Sequence, residues 1–104
     1  VGTVHGIYKG ELNIDYQLIK KLSEELTVPL VLHGGSGLSN DTLKKCVEAG
    51  ITKININSSI QAAWSEEVRK YLKENPNVID PRKIIGSGYK SIKEVVASKI
   101  NINN

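Results

Sequence analysis

Three short apolar runs, each leading into a turn and then a helix pattern, constrain this chain more than any other feature. Val1 to Val4, Leu30 to Leu32 and Thr52 to Ile56 are rich in β-branched and aliphatic residues, and none is long enough to be a helix. Strands that alternate with helices in this way pair in parallel, joined by right-handed crossovers. A parallel sheet is normally covered on both faces, so three such strands leave edges and apolar surface to be covered.

The helix signals are local and chemical. Asp15 is placed to cap a helix running to about Leu26, with Leu18, Ile19, Leu22 and Leu26 spaced as one buried stripe. Pro29 then admits the strand Leu30-Val31-Leu32, which ends at His33. Ser39 or Asn40 caps a second helix carrying Leu43, Cys46 and Val47, and Gly50 closes it, where a positive φ has little steric cost. Thr52 to Ile56 leads to the capping cluster Asn57-Ser58-Ser59, and a long helix follows to about Lys73 with Ile60, Ala63, Trp64, Val68, Tyr71 and Leu72 as its apolar contacts. Pro81 to Ile85 reads as a short helix, since proline suits a first helical position. After Gly86-Ser87-Gly88, a final helix carries Tyr89, Ile92, Val95, Val96 and Ile100, and "NINN" reads as a frayed or truncated tail.

Two architectures accommodate this order: a small doubly wound sheet, or the last part of a (β/α)8 barrel. His5 and His33 lie at or just beyond the carboxyl ends of the first two strands, and Asn55, Asn57 and Ser58 lie at the end of the third. Barrel enzymes build their sites on that rim, which favours the barrel. The chain has no methionine and opens inside what reads as a strand, so it is expected to be the C-terminal portion of a single barrel domain, residues 1–104.

Composition sets the remaining bounds. Of 104 residues, 24% are charged, and the net charge of +3 comes from acidic and basic groups interleaved on helix faces rather than from a basic stripe. Nucleic-acid binding is therefore not expected. No run approaches the roughly 20 apolar residues that a membrane span requires. The single cysteine, Cys46, lies on the apolar side of its helix and reads as a small buried hydrophobe; its lack of a partner fits a reducing compartment, here the cytoplasm.

Chemistry concentrates at the strand ends. His5 in "TVHGIY" and His33 in "VLHGGSG" occupy equivalent points of two βα units; two imidazoles there can converge on one cation, and a structural role at each strand end is the alternative. Two are fewer than the three protein ligands of a catalytic zinc, so further ligands are expected outside this chain. In "HGGSG", Gly34, Gly35 and Gly37 permit close backbone approach, Ser36 offers a hydroxyl, and the next helix presents unpaired N–H groups, a combination suited to phosphate; a flexible turn with no ligand also accounts for the glycines. The sequence is neither a Walker A motif nor a dinucleotide fingerprint. Asn55, Asn57, Ser58 and Ser59 in "KININSS" can hold a polyhydroxylated substrate or complete the phosphate site; helix capping alone also accounts for Asn57 or Ser58. Tyr8, Lys9 and Glu11 read as a charged surface loop, and Lys53 as a structural mid-strand residue.

Taken in order, "GTVHGIYKGELNIDY", "VPLVLHGGSGL", "GITKININSS" and "DPRK" resemble the C-terminal part of class II, zinc-dependent ketose-bisphosphate aldolases. The resemblance runs from about residue 1 to residue 100 and implies strands six to eight of a (β/α)8 barrel. It implies His5 and His33 as two zinc ligands. Gly6, Gly34 and Ser36 would bind the phosphate of dihydroxyacetone phosphate, and carbonyls around Gly6 and Gly34 would hold a monovalent cation, Na+ or K+. Asn55 would contact the bound triose, with Asn57 and Ser58 in its phosphate turn. That turn usually reads Asn-x-Asp-Thr or Asn-x-Ala-Thr; here Asn57 replaces Asp or Ala and Ser58 replaces Thr, which retains the hydroxyl. The family's third zinc histidine, its acid–base aspartate and a glutamate near the metal belong to earlier strands.

The implied activity is reversible cleavage of fructose 1,6-bisphosphate to dihydroxyacetone phosphate and glyceraldehyde 3-phosphate, by a homodimer or homotetramer whose barrel is completed by the N-terminal part. Tagatose 1,6-bisphosphate is the alternative substrate. The rival readings are a metal-independent phosphate-binding barrel isomerase or epimerase, and an inactive fragment.

Overall fold

A computed structural model of the chain describes residues 1–3, 6 and 13–103. Val4, His5 and the loop residues Tyr8, Lys9 and Glu11 lie outside the described residues. Two strands, β1 (Leu30–Leu32) and β2 (Ile51–Ile54), pair in parallel with Leu30 opposite Ile51 and Leu32 opposite Ile54. Residues 1–3 lie along the other side of β1, through a parallel bridge of Gly2 with His33. The hydrogen bonds show why β1 is central. Val31 and His33 exchange bonds with Val1 and Thr3, whereas the Leu32 carbonyl accepts from Asn55 N–H on the opposite side. Strand residues send successive backbone groups to alternate neighbours. The lateral order therefore follows the sequence, as in a barrel wall.

The helices are α1 (Tyr16–Glu25), α2 (Asn40–Ala49), α3 (Ser58–Glu74), α4 (Pro81–Gly86) and α5 (Tyr89–Ile100). The expected caps form: Asp15 accepts from Leu18 N–H, and Ser39, rather than Asn40, accepts from Thr42 N–H. Gly50 ends α2 with φ 129°. Asp80 caps α4 ahead of Pro81 and pairs with Arg82 at 3.0 Å, which holds its carboxyl below the usual range.

The core is formed by Ile19, Leu30, Leu32, Leu38, Leu43, Cys46 and Ile51. α1 and α2 pack on each other, and α3 packs on α5. At the α3–α4–α5 corner, Trp64 Nε1 donates to the Ile85 carbonyl over the buried Gly88. The α1 stripe is only partly covered. Ile19 is buried, but Leu18 and Leu26 are exposed because no described element packs over their flanks. Tyr89, Val96 and Ile100 of α5 are likewise exposed. The described part of "NINN", residues 101–103, is not frayed. Asn101–Asn103 forms a 3-10 turn, and Ile102 packs against the core. The preceding helix is pinned at its end, where Lys99 Nζ donates to Asn40 Oδ1 and the Asn40 amide donates to Ser98.

Candidate active site

The turn after β1 is built from two glycines with different tasks. Gly34 adopts φ 71°, the left-handed region that favours glycine, and this bend starts the 3-10 turn Gly35–Gly37. Gly35 is buried against β2: an added Cβ would lie 2.8 Å from Ile54 Cγ2 and 3.2 Å from the Asn55 carbonyl oxygen. This close approach lets Gly35 N–H donate to that carbonyl at 3.1 Å. Strand β2, Ile51–Ile54, starts and ends earlier than the expected Thr52 to Ile56, and Asn55 beyond it bonds to Leu32 and Gly35.

Ser36 then projects to the start of α3. Its Oγ accepts from the backbone N–H of Asn57 at 3.2 Å and of Ser59 at 3.1 Å. Asn57 occupies the N-cap position, but its side chain makes no capping bond. The Ser36 hydroxyl, from another loop, substitutes for it. A hydroxyl has two acceptor lone pairs and one proton, so with both pairs used Ser36 can only donate onward.

His33 is exposed at the carboxyl end of β1, with its Nδ1 3.2 Å from Asn55 Nδ2. Asn55 is the same residue whose carbonyl holds Gly35 and whose N–H holds Leu32. His33, Gly34, Ser36, Asn55, Asn57, Ser58 and Gly6 line one groove of about 600 Å³, together with Ile54 and Ile56. All the candidate site residues within the described part thus converge; His5 lies outside it. A larger groove of about 820 Å³ runs between β2 and the end of α5, but its walls are mostly isoleucine and valine.

Whether the residues present suit a divalent ion turns on His33. The Asn55 amide nitrogen faces Nδ1 and can only donate, so in this contact Nδ1 is the accepting ring nitrogen. An exposed imidazole at this rim is of the chemical type that ligates a divalent ion, and His33 fits as one ligand on that ground. Among the described residues, no cluster of three ligating side chains forms. The Gly34 carbonyl accepts from Thr3 Oγ1 at 2.6 Å, which uses one of its two lone pairs.

Sequence reading missed two contributors. Thr3 gives no signal beyond strand propensity, and its bond to Gly34 spans 31 positions. Gly35 was legible as part of a glycine-rich turn, but not as the residue that seats the loop against β2.

Parallel strands in sequential order, crossover helices and a polar groove at the strands' carboxyl ends define part of an α/β barrel. The family model for class-II fructose-bisphosphate aldolase matches residues 1–104, and the chain belongs to that family. It is 42% identical to a fructose-bisphosphate aldolase of Geobacillus stearothermophilus over 96% of this chain and 35% of that protein. It is 39% identical to a 6-phospho-5-dehydro-2-deoxy-D-gluconate aldolase of Bacillus subtilis, again over 96% of this chain and 34% of the relative. Among solved structures, the YdjI aldolase of Escherichia coli superposes with a TM-score of 0.74 at 31% identity, covering 95% of this chain and 36% of that one. The fructose-bisphosphate aldolase of Campylobacter jejuni gives 0.71 at 28% identity, covering 96% and 37%. The chain spans about a third of the length of the relatives it matches. No helix among the described residues is long and apolar enough to cross a membrane.

Proposed function

We propose that the protein catalyses reversible, zinc-dependent aldol cleavage of a phosphorylated ketose, with fructose 1,6-bisphosphate as its substrate, and that this chain supplies the phosphate end of the site and part of the metal centre. The observation that carries the reading is the convergence of an imidazole, His33, with the Ser36-capped start of α3 in one groove. Both named substrates of the relatives carry a phosphate ester on the carbon next to a ketone, so a site reading that end serves either.

Each residue has a separable task. The Ser36 hydroxyl, its lone pairs held by two backbone N–H groups, donates its proton to a phosphate oxygen. Ser58 lines the groove in the first turn of α3, where the positive end of the helix dipole favours an anion. Gly34 and Gly6 allow the ester to approach the backbone. Asn55 orients the His33 ring and offers its amide to a substrate hydroxyl. His33 and His5 would hold the zinc, and the Gly6 and Gly34 carbonyls a monovalent cation. Bound there, the divalent ion supplies Lewis-acid stabilisation of the negative charge that develops on the carbonyl oxygen, worth several kcal/mol in general estimates. Anchoring the phosphate fixes the reacting carbons and lowers the entropic part of the barrier.

A second reading follows from the relative at 39% identity: cleavage of 6-phospho-5-dehydro-2-deoxy-D-gluconate. The test is steady-state cleavage of both substrates by the full-length protein, with triose phosphate as the readout, before and after chelation. Cleavage of the fructose bisphosphate, abolished by EDTA and restored by zinc, is expected. Undiminished activity in EDTA overturns the metal-dependent mechanism, and preference for the deoxygluconate phosphate selects the second reading.

A further inference from the structure

We propose that Thr3 is a positioning residue, which through the Gly34–Gly35 peptide keeps His33 and Ser36 in register for a phosphorylated substrate. The inference rests on the sugar-phosphate reading above and extends it to a residue outside the groove lining.

The Gly34 carbonyl and the Gly35 N–H belong to one peptide group. Thr3 Oγ1 donates to that carbonyl at 2.6 Å, and the Gly35 N–H donates to the Asn55 carbonyl at 3.1 Å. The peptide is therefore held from both sides, by the 1–3 segment and by the end of β2. Its two neighbours in sequence are the residues that carry the chemistry. His33 precedes it and Ser36 follows it. The same segment also fixes the approach to the turn, because Thr3 N–H donates to the His33 carbonyl and His33 N–H donates to the Val1 carbonyl.

Gly34 is the soft point in this construction. A glycine at φ 71° has no Cβ to restrict its ψ, so the plane of the next peptide is set by what it bonds to. Among the described residues, without the threonine hydroxyl, only the Asn55 carbonyl restrains that plane. Rotation there moves Ser36 relative to both His33 and the N–H groups of Asn57 and Ser59. Backbone bonding alone would be satisfied by any strand residue at position 3; the hydroxyl is what the peptide clamp requires.

The experiment compares the parent, Thr3→Val and Thr3→Ser in the full-length protein. Valine keeps the shape and removes the donor, whereas serine keeps the donor. Binding of inorganic phosphate and of dihydroxyacetone phosphate is measured by calorimetry, exchange of the Gly35 amide proton by NMR, and the thermal midpoint by calorimetric melting. Thr3→Val is expected to weaken both ligands about tenfold, the equivalent of one hydrogen bond, and to speed Gly35 exchange, with Thr3→Ser within about twofold of the parent. Unchanged ligand affinities in Thr3→Val overturn the assignment, whatever the exchange rate does. Equal weakening in the valine and serine variants overturns it too, because the hydroxyl would then be irrelevant. A parent protein that binds neither ligand overturns the sugar-phosphate reading itself, and this assignment with it.

Discussion

The Ser36 hydroxyl oxygen accepts the Ser59 N–H at 3.1 Å, joining the loop after one strand to the helix after the next across 23 positions of sequence. Replacing Ser36 by alanine leaves two N–H groups at the start of α3 without their acceptor and removes the donor offered to a phosphate. Losing a helix cap costs about 1 kcal/mol, and losing a hydrogen bond to a charged group costs roughly 1.5–3 kcal/mol. Ser36→Ala is therefore expected to raise KM for the sugar phosphate by at least about tenfold, with a small fall in the melting midpoint. Ser36→Thr, which keeps the hydroxyl, should lose much less. Steady-state kinetics on the full-length protein checks both.

Gly35→Ala probes the seating of the same loop. The new methyl group meets Ile54 Cγ2 at 2.8 Å, inside the distance real Cβ atoms adopt, so either the loop or β2 must shift. Overpacking of this kind costs typically about 1–3 kcal/mol. The displaced loop also carries His33 and Ser36 away from Asn55 and α3. The expected result is a joint loss of stability and of substrate affinity, read by denaturant unfolding and by KM. A variant with native stability and native KM would contradict the close seating.

Most of the strands, helices and caps were legible because their signals are local. Asp15, Ser39 and Gly50 act within four residues of themselves, and a period of 3.6 marks α2 without outside help. The convergence of His33, Gly34, Ser36, Asn55, Asn57 and Ser58 was legible because each lies at the same end of a parallel strand or just beyond it. What was not legible depends on distant partners. The pattern on α1 marks Leu18 and Leu26 as apolar but cannot say whether anything covers them, and both are exposed. The α3 capping cluster suggested its own side chains as caps, whereas the acceptor is Ser36, 21 positions before Asn57. Ile102 is similar: nothing in "NINN" announces a contact with the core, which exists because the turn after α5 packs on α2.

Asn55 lies between the metal and phosphate halves of the proposed site, with its side-chain amide 3.2 Å from His33 Nδ1. Asn55→Ala removes the amide that bonds the His33 ring while leaving the backbone bonds to Leu32 and Gly35 in place. Loss of such a supporting group typically lowers metal affinity by about 10–100-fold. Competition with a chromophoric chelator on the full-length protein is expected to show weaker zinc binding. If zinc affinity is unchanged, His33 does not depend on this contact for its ligating geometry.

Cys46 is fully buried in the apolar core, and burial pushes its thiol above the ordinary value. The unfolded chain exposes the same thiol, which there ionises near its usual pKa of about 8.5. Above that pH the unfolded state releases its proton more readily than the folded state does, so unfolding is favoured as the pH rises. The contribution of this group to stability is complete below about pH 8.5 and fades as the pH climbs through the raised folded value. Denaturant unfolding between about pH 7 and pH 10 should therefore show a decline, and Cys46→Ala should flatten that decline while costing stability at every pH through the cavity it leaves. The thiol should also resist alkylation at about pH 8 until denaturant is added, since the thiolate is the reactive form and both its population and its access are suppressed in the folded chain. Rapid alkylation without denaturant would show that the packing of Leu32, Leu43 and Cys46 opens far more readily than their complete burial indicates.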